Sequence, residues 1–316
     1  MKKPLVFPRM ENYDQLEEFR KQALPKIAIR HSGSAEPYAG VTNHIMVCCG
    51  TGCTASGAKL VTEAFERELD RFGLTKSVDL VITGCHGFCE MGPLVIVYPQ
   101  DIFYVRVQPE DVPEIVEKTI RGGGEPVTRL LYHSHEGANP TVKYTDIDFY
   151  AKQNLLTLLK CGHLNHENSE EYIAEVGFAD PATDLKEHDP ISLLSVIKES
   201  GLRGLGGGGF PTGIKWELCR RADCYKKYVV CNADEGGPRA FMDRAMLEGD
   251  PNAVIEGMAV GAYVIGASKG YIYVCAEYPL AIERLELALK QAEDSGLLGK
   301  SILGSDFVGL MWFREF

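Results

Sequence analysis

The stretch Gly201-Leu-Arg-Gly-Leu-Gly-Gly-Gly-Gly-Phe-Pro-Thr-Gly-Ile-Lys-Trp216 decides how the second half of this chain is read. Seven of its sixteen residues are glycine. Without a Cβ, backbone N–H groups can converge on a ligand, and a positive φ carries no steric penalty. Converging N–H groups that lead into a helix N-terminus make an anion site, most often for phosphate, and Lys215 adds a mobile positive charge. The spacing Gly204-x-Gly206-x-x-Gly209 fits a dinucleotide fingerprint, which requires a strand before it and a helix after it. Residues 190–200 read as a helix instead, because Ile191, Leu194 and Ile197 recur at three-residue spacing. The expected arrangement is therefore helix, glycine loop, helix, and the plainer reading of the loop alone is a hinge.

The chain has 316 residues, room for roughly two or three domains with a sizeable core. Its composition, 45% hydrophobic and 24% charged, is that of a globular protein. A net charge of −11 disfavours nucleic acid, whose phosphates require a basic surface. No apolar run reaches the length of a membrane span. The two lysines at the start are followed by no apolar segment, so a secretory leader is not expected. Ten cysteines without an export signal point to a reducing, cytoplasmic compartment, where cysteine clusters serve as metal ligands or redox groups.

Residues 1–39 read as an N-terminal arm with a helix over 11–24. A small α/β domain follows over 40–121: a buried strand at 44–48, an amphipathic helix at 54–72, a strand at 78–82, a hairpin from 94–98 and 102–107, and a closing helix at 109–120 with Pro109 at its start. The stretch 122–144 is linker-like. A second domain is expected over 145–316. It has helices at 170–176, 191–200, 251–266 and 279–292, and strands at 228–231 and 270–275.

Two cysteine pairs carry the first domain's chemistry. Cys48-Cys-Gly-Thr-Gly-Cys53 supplies Cys48 and Cys53; Cys85-His-Gly-Phe-Cys89 supplies Cys85 and Cys89. Each pair starts where a strand ends, so parallel strands would bring both loops to one sheet edge. Four thiolates placed this way suit an iron–sulfur cluster or a structural zinc, and loops wider than the usual zinc knuckle favour iron. Four buried free thiols are the bland alternative. Cys49 is read as a bystander, and Cys231 and Cys275 as buried strand residues. In the second domain, Asn232, Asp234 and Glu235 follow a strand on a glycine-rich turn. Such groups suit a flavin or ribose, and a solvated turn is the alternative.

The segments 202–216 and Tyr228-Val-Val-Cys-Asn-Ala-Asp-Glu235 resemble the FMN- and NADH-binding flavoprotein subunit of complex I-type dehydrogenases. With the N-terminal cysteine pairs, the likeness is closer to the β subunit of NAD(P)-linked, electron-bifurcating [FeFe] hydrogenases. Phe241-Met-Asp-Arg244, Leu247-Glu-Gly-Asp-Pro251 and Gly266-Ala-Ser-Lys-Gly-Tyr-Ile-Tyr273 extend the match, which covers about residues 40–307. The resemblance implies a thioredoxin-like [2Fe–2S] ferredoxin domain followed by an incomplete α/β FMN/NAD-binding domain. It implies that Gly204, Gly206, Gly207, Gly208 and Gly209 line the phosphate region, that Phe210 stacks on the nicotinamide nucleotide and that Lys215 meets a phosphate. Asn232, Asp234 and Glu235 would hold the FMN ribityl chain and ring.

It further implies an oxidoreductase subunit passing electrons between NAD(P)H, FMN and iron–sulfur clusters. Its partners would be a small thioredoxin-like [2Fe–2S] subunit and a hydrogenase or dehydrogenase catalytic subunit. No side chain is expected to act as a catalytic acid or base. The sequence departs from the family pattern at Leu205, Gly208, Gly237 and Arg239. The family continues into a domain holding a [4Fe–4S] cluster. Its ligands are absent here, and the likeness stops near Phe307, as in a C-terminally truncated form. The alternative is a non-catalytic electron-transfer or scaffold subunit that uses only the [2Fe–2S] domain; a zinc-stapled binding module is the third possibility.

Overall fold

A computed structural model describes residues 7–32, 37–135, 138–175, 177–178, 189–205, 208–237, 240–305, 307 and 311–314. The chain forms two compact units. One comprises residues 22–167 with 245–250, the other residues 1–21 with 168–244 and 251–316. Helix α1 (Tyr13–Ile27) contributes to both. This division differs from the sequence-based segments 1–39, 40–121, 122–144 and 145–316, because residues 122–167 fold with the first unit.

The 22–167 unit is built on a four-stranded sheet. In chain order it contains β1 (Asn43–Cys48), α2 (Thr51–Ala55), α3 (Ala58–Arg71), β2 (Val78–Thr83), β3 (Val95–Tyr98), β4 (Ile102–Tyr104), α4 (Val112–Ile115) and α5 (Asp148–Ala151). The sheet order is β2-β1-β3-β4. β1 runs parallel to β2, with Cys48 level with Thr83, and antiparallel to β3. β1 and β3 lie at the centre of the sheet and are buried along their whole length, as their apolar runs require. Helix α3 buries Val61, Ala64, Phe65 and Leu69 against the sheet. Complete burial of a side chain such as Phe65 is worth about 1.5–3 kcal/mol.

Three details depart from the sequence reading. The helix expected over 54–72 is two helices, because Gly57 adopts φ 97° between them, a conformation glycine enters without strain. The closing helix begins as a 3-10 turn, Pro109–Asp111, and ends as a π-helix, Val116–Arg121. The hairpin's second strand stops at Tyr104, and Arg106 takes φ 52°.

The linker-like stretch is also more than a linker. Val127, Leu130 and Leu131 join the core of this unit. Val105 N–H donates to Leu130 O at 2.9 Å and Phe103 N–H to Val142 O at 2.8 Å. These residues cover β4, which would otherwise be a bare edge.

The other unit carries α6 (Ser169–Ala174), α7 (Pro190–Glu199), α8 (Thr212–Arg221), β5 (Tyr228–Ala233), α9 (Met242–Gly249, its last part in the first unit), α10 (Pro251–Ile265), β6 (Lys269–Val274), α11 (Pro279–Asp294) and β7 (Met311–Arg314). Its sheet, β5-β6-β7, is parallel throughout. Helix α7 starts where Asp189 accepts from the N–H groups of Ile191 and Ser192, with Pro190 at the first position. Leu193 and Leu194 of α7 pack on Val264 of α10, with Trp216 of α8 against them. Ser169 is buried and donates from its N–H and hydroxyl to Gln291 of α11 at 2.9 and 2.6 Å. The Tyr172 hydroxyl donates to Glu256.

Two expectations change here. β5 is longer than 228–231 and is not a buried strand, since Tyr228, Val230 and Asn232 lie on an exposed face. β7 falls in the tail to which the sequence assigned no structure. Cys231 and Cys275 are half-buried rather than buried.

Candidate iron–sulfur and flavin sites

Parallel pairing of β1 and β2 delivers both cysteine loops to one sheet edge, as the strand-end positions required. The sulfur contacts run Cys53–Cys48–Cys85–Cys89; the last pair lies 3.4 Å apart. Cys48, Cys53 and Cys85 are buried, and Cys89 is exposed at the rim. Among the described residues no three His, Cys, Asp or Glu side chains gather on one ion position. Four cysteine thiols brought to one sheet edge are a donor set for an iron–sulfur group or a structural zinc.

Glycine makes this convergence possible. A Cβ on Gly50 would lie 2.8 Å from Cys85 Cβ, one on Gly52 3.0 Å from Cys89 Cβ, and one on Gly92 2.6 Å from Cys53 Sγ. Gly87 N–H donates to Cys85 Sγ at 3.3 Å, the bond by which backbone groups tune a cluster. The neighbouring Cys48 thiol is the main reason Cys85 is raised to about 11. Cys48 is raised further, first by its bond with Cys53. Loading the pocket therefore displaces thiol protons.

Sequence reasoning missed a third wall. Residues 245–250 belong to this unit. Glu248, 1% exposed, accepts from Thr51 N–H at 2.9 Å and from its hydroxyl at 2.5 Å, between Cys48 and Cys53. Gly249 and Gly84 meet so closely that a Cβ on Gly84 would fall 2.1 Å from Gly249 Cα. On its other side Gly249 lies against Cys161 Sγ. The available signal was the Leu247–Pro251 motif, whose glycine and buried acid have no role on an isolated helix.

The aromatic wall is formed by His86 and Phe88, inside the second cysteine loop, with Phe103, Tyr144 and Tyr150. Burial, then the neighbouring His163, lowers His86 to about 3, so it is neutral at ordinary pH.

In the other unit the glycine stretch is the expected loop between α7 and α8. Gly204 N–H donates to Phe210 O at 3.0 Å, Thr212 N–H to Leu202 O at 2.9 Å, and Arg203 to Gly209 O at 3.0 Å. Gly209 takes φ 58°. Among the described residues nothing lies within 4 Å of a Cβ placed on Gly208 or Gly209, next to the N-terminus of α8 with Lys215 in its first turn. Phe210 is 52% exposed. Backbone, helix end and exposed ring together fit a nucleotide phosphate and a planar ring. Gly206 and Gly207 lie outside the described residues.

Asn232 is the penultimate residue of β5, and its side chain accepts from Asp234 N–H at 3.2 Å, the turn bonding expected of an Asn there. Glu235 Oε2 accepts from Asp243 N–H at 3.0 Å, and Glu235 O accepts from the Tyr278 hydroxyl at 3.0 Å. The Arg244 guanidinium lies 5.6 Å from the Tyr278 ring centre. Burial, then Glu235, pushes the Asp243 carboxyl above its ordinary range. The adjacent strand adds Tyr273, level with Asn232, and beyond it Cys275, whose thiol donates to Glu277 at 2.5 Å. Polar groups from two neighbouring parallel strands thus gather beyond their C-terminal ends, where open α/β sheets bind ligands. Glu277 and Tyr278 had no sequence signal, and Tyr273 only as the end of the Gly266–Tyr273 segment, because their place depends on pairing of β5 with β6.

These two sites define an iron–sulfur ferredoxin fold joined to a flavin-binding fold. Residues 36–120 match the thioredoxin-like [2Fe-2S] ferredoxin family, and residues 197–308 match the Nuo51 FMN-binding domain family. These two stretches are similar to those families. It is 50% identical over 156 residues to the NADP-reducing hydrogenase subunit HndC of Solidesulfovibrio fructosivorans, covering 49% of this chain and 31% of that one. It is 32% identical over 264 residues to the NAD-reducing hydrogenase HoxS subunit alpha of Cupriavidus necator, covering 82% and 41%. The thioredoxin-like [2Fe-2S] ferredoxin of Aquifex aeolicus is 37% identical, with a TM-score of 0.28, over 30% of this chain and 99% of that one. The chain spans less than half the length of these curated relatives.

Proposed function

We propose that this chain is an oxidoreductase subunit that passes electrons between NAD(P)H, FMN and a [2Fe–2S] cluster. Cys48, Cys53, Cys85 and Cys89 would hold the cluster. Gly204, Gly206, Gly207, Gly208, Gly209 and Lys215 would hold nucleotide and flavin phosphates. Phe210 would take the nicotinamide nucleotide, and Asn232, Asp234 and Glu235 the FMN ribityl chain and ring. When bound, FMN exchanges electrons singly or in pairs, while the cluster takes them one at a time. The chain's own part is placement: bare backbone for phosphates, packed glycines for thiolates.

The observation that carries this reading is Glu248. It lies in the stretch matched to an FMN-binding domain, yet it binds Thr51 inside the first cysteine loop. One chain thereby ties flavin-family sequence to the wall of an iron–sulfur pocket.

The proposed setting is cytoplasmic, within an assembly that includes a small thioredoxin-like [2Fe–2S] subunit and a hydrogenase or dehydrogenase catalytic subunit. Among the described residues no helix is long and apolar enough to cross a membrane. As functional modules we propose 40–121 for the cluster and 145–316 for flavin and nucleotide.

The test is anaerobic reconstitution of the full chain with iron, sulfide and FMN, followed by NADH. The expected result is flavin uptake and bleaching of its absorption. A chain that loads iron and sulfide but takes up no flavin is instead an electron-transfer or scaffold subunit. Zinc without iron or acid-labile sulfide would displace both readings.

A further inference from the structure

Tyr150 lies on α5, outside both matched stretches. Its ring stands edge-on to Phe88 at 5.6 Å and to His86 at 6.3 Å, the two aromatic residues between Cys85 and Cys89. It also packs edge-on against Phe103 and Tyr144. The ring is therefore fixed against the second cysteine loop from a part of the chain that a lone ferredoxin-like domain of residues 36–120 would lack.

The hydroxyl is the unusual feature. It is buried and has no hydrogen-bond partner among the described residues. Leaving such a group unsatisfied costs about 1–3 kcal/mol. Its neighbours pay no such penalty: the Tyr104 hydroxyl pairs with Thr119 at 2.6 Å, and that of Tyr144 with His163 at 3.4 Å. Burial holds the Tyr150 phenol above its ordinary range, and the next contributions come from Cys48, Cys85, Cys53 and Cys89. The phenol is thus a buried O–H donor without a partner among the described residues, on a ring held against the second cysteine loop.

We propose that Tyr150 is a positioning residue for the cluster, its O–H donating to a sulfur of the [2Fe–2S] group held by Cys48, Cys53, Cys85 and Cys89. The proposal rests on the iron–sulfur reading of that pocket. An orphaned donor beside a site rich in sulfur acceptors gains its partner when the site is filled. A hydrogen bond to sulfur favours the more negative, reduced state and raises the potential.

The test compares the full chain, Tyr150→Phe and Tyr144→Phe, each loaded anaerobically with iron and sulfide. Iron and sulfide content, the EPR-monitored midpoint potential, and Fe–S stretching bands in H2O and D2O are read for each. Tyr150→Phe keeps the ring and should load as fully as the unaltered chain. Its midpoint should move to more negative values, and part of the deuterium sensitivity of the Fe–S bands should disappear. Tyr144→Phe, whose hydroxyl already has a partner, should leave both unchanged. Loaded chains with equal midpoints and equal deuterium shifts would overturn the proposal alone. Poor loading of Tyr150→Phe would reduce the residue to a packing role and also overturn it. An unaltered chain that takes up no iron and sulfide would defeat the iron–sulfur reading itself, and the proposal with it.

Discussion

The two glycine-rich regions of this chain use the same residue for opposite purposes. In the cysteine loops, Gly50, Gly52 and Gly92 are pressed against Cys85, Cys89 and Cys53, and an added Cβ would collide with them. In the loop before α8, a Cβ on Gly208 or Gly209 would meet nothing within 4 Å among the described residues. The first region is closely packed around the four cysteines. The second is a surface left clear for something large. Glycine density alone does not separate close packing from a cleared approach; the surrounding atoms do.

The contrast can be broken most directly at Gly50. Gly50→Ala places a methyl group 2.8 Å from Cys85 Cβ and 3.0 Å from its Cα, where the obstacle is partly backbone. Such overpacking costs about 1–3 kcal/mol, and iron and sulfide uptake should fall to a small fraction of that of the unaltered chain. Normal loading of Gly50→Ala would show that the loop is not pre-shaped.

A comparable but smaller effect is expected at Glu248. Glu248→Ala removes the acceptor of two Thr51 bonds, and breaking bonds to a carboxylate costs about 1.5–3 kcal/mol. The cluster should bleach faster under a chelator, with Glu248→Gln intermediate because its side-chain oxygen still accepts.

Tyr172→Phe sharpens the comparison from the flavin side. It deletes the bond to Glu256 and should lower stability by about 0.5–3 kcal/mol in denaturant, the upper end applying to a charged acceptor. The visible circular dichroism of the cluster should not change. A changed cluster spectrum would mean that the two regions are not separable in this way.

The smallest expected effect on folding is at Gly208. Gly208→Ala adds a methyl group with no other described atom within 4 Å, so stability should move by less than about 0.5 kcal/mol. FMN retention, measured by fluorescence of released flavin, should nevertheless fall. Unchanged retention would remove Gly208 from the phosphate region.

Much of the cluster region was legible because its signal is local. Cysteines at strand ends and glycines between them specify loops, and the apolar runs specify the strands that carry them. The same held for α7 and α8 around the glycine loop, where periodicity, Asp189 and Pro190 mark the boundaries. Residues 122–144 were misread as a linker because Val127, Leu130 and Leu131 are too few to show a period. They become core only where β4 offers an edge. The split of α2 from α3 at Gly57 was hidden for a related reason: the apolar face continues across it, while the backbone does not.

By itself the sequence determined the two cysteine pairs at strand ends, the glycine loop between two helices, the acidic turn after a strand and the two fold families. All of these depend on residue type and short spacing. Only the tertiary structure decided that Glu248 would meet Thr51, that Tyr150 would bring an unpartnered hydroxyl to the cysteine loops, and that Tyr278 would bond to Glu235. Thr51 and Glu248 are 197 residues apart, and no periodicity or composition links such a pair. Their contact exists because burying apolar strands fixes the backbone first, and the polar groups left inside then take the partners that folding brings within reach.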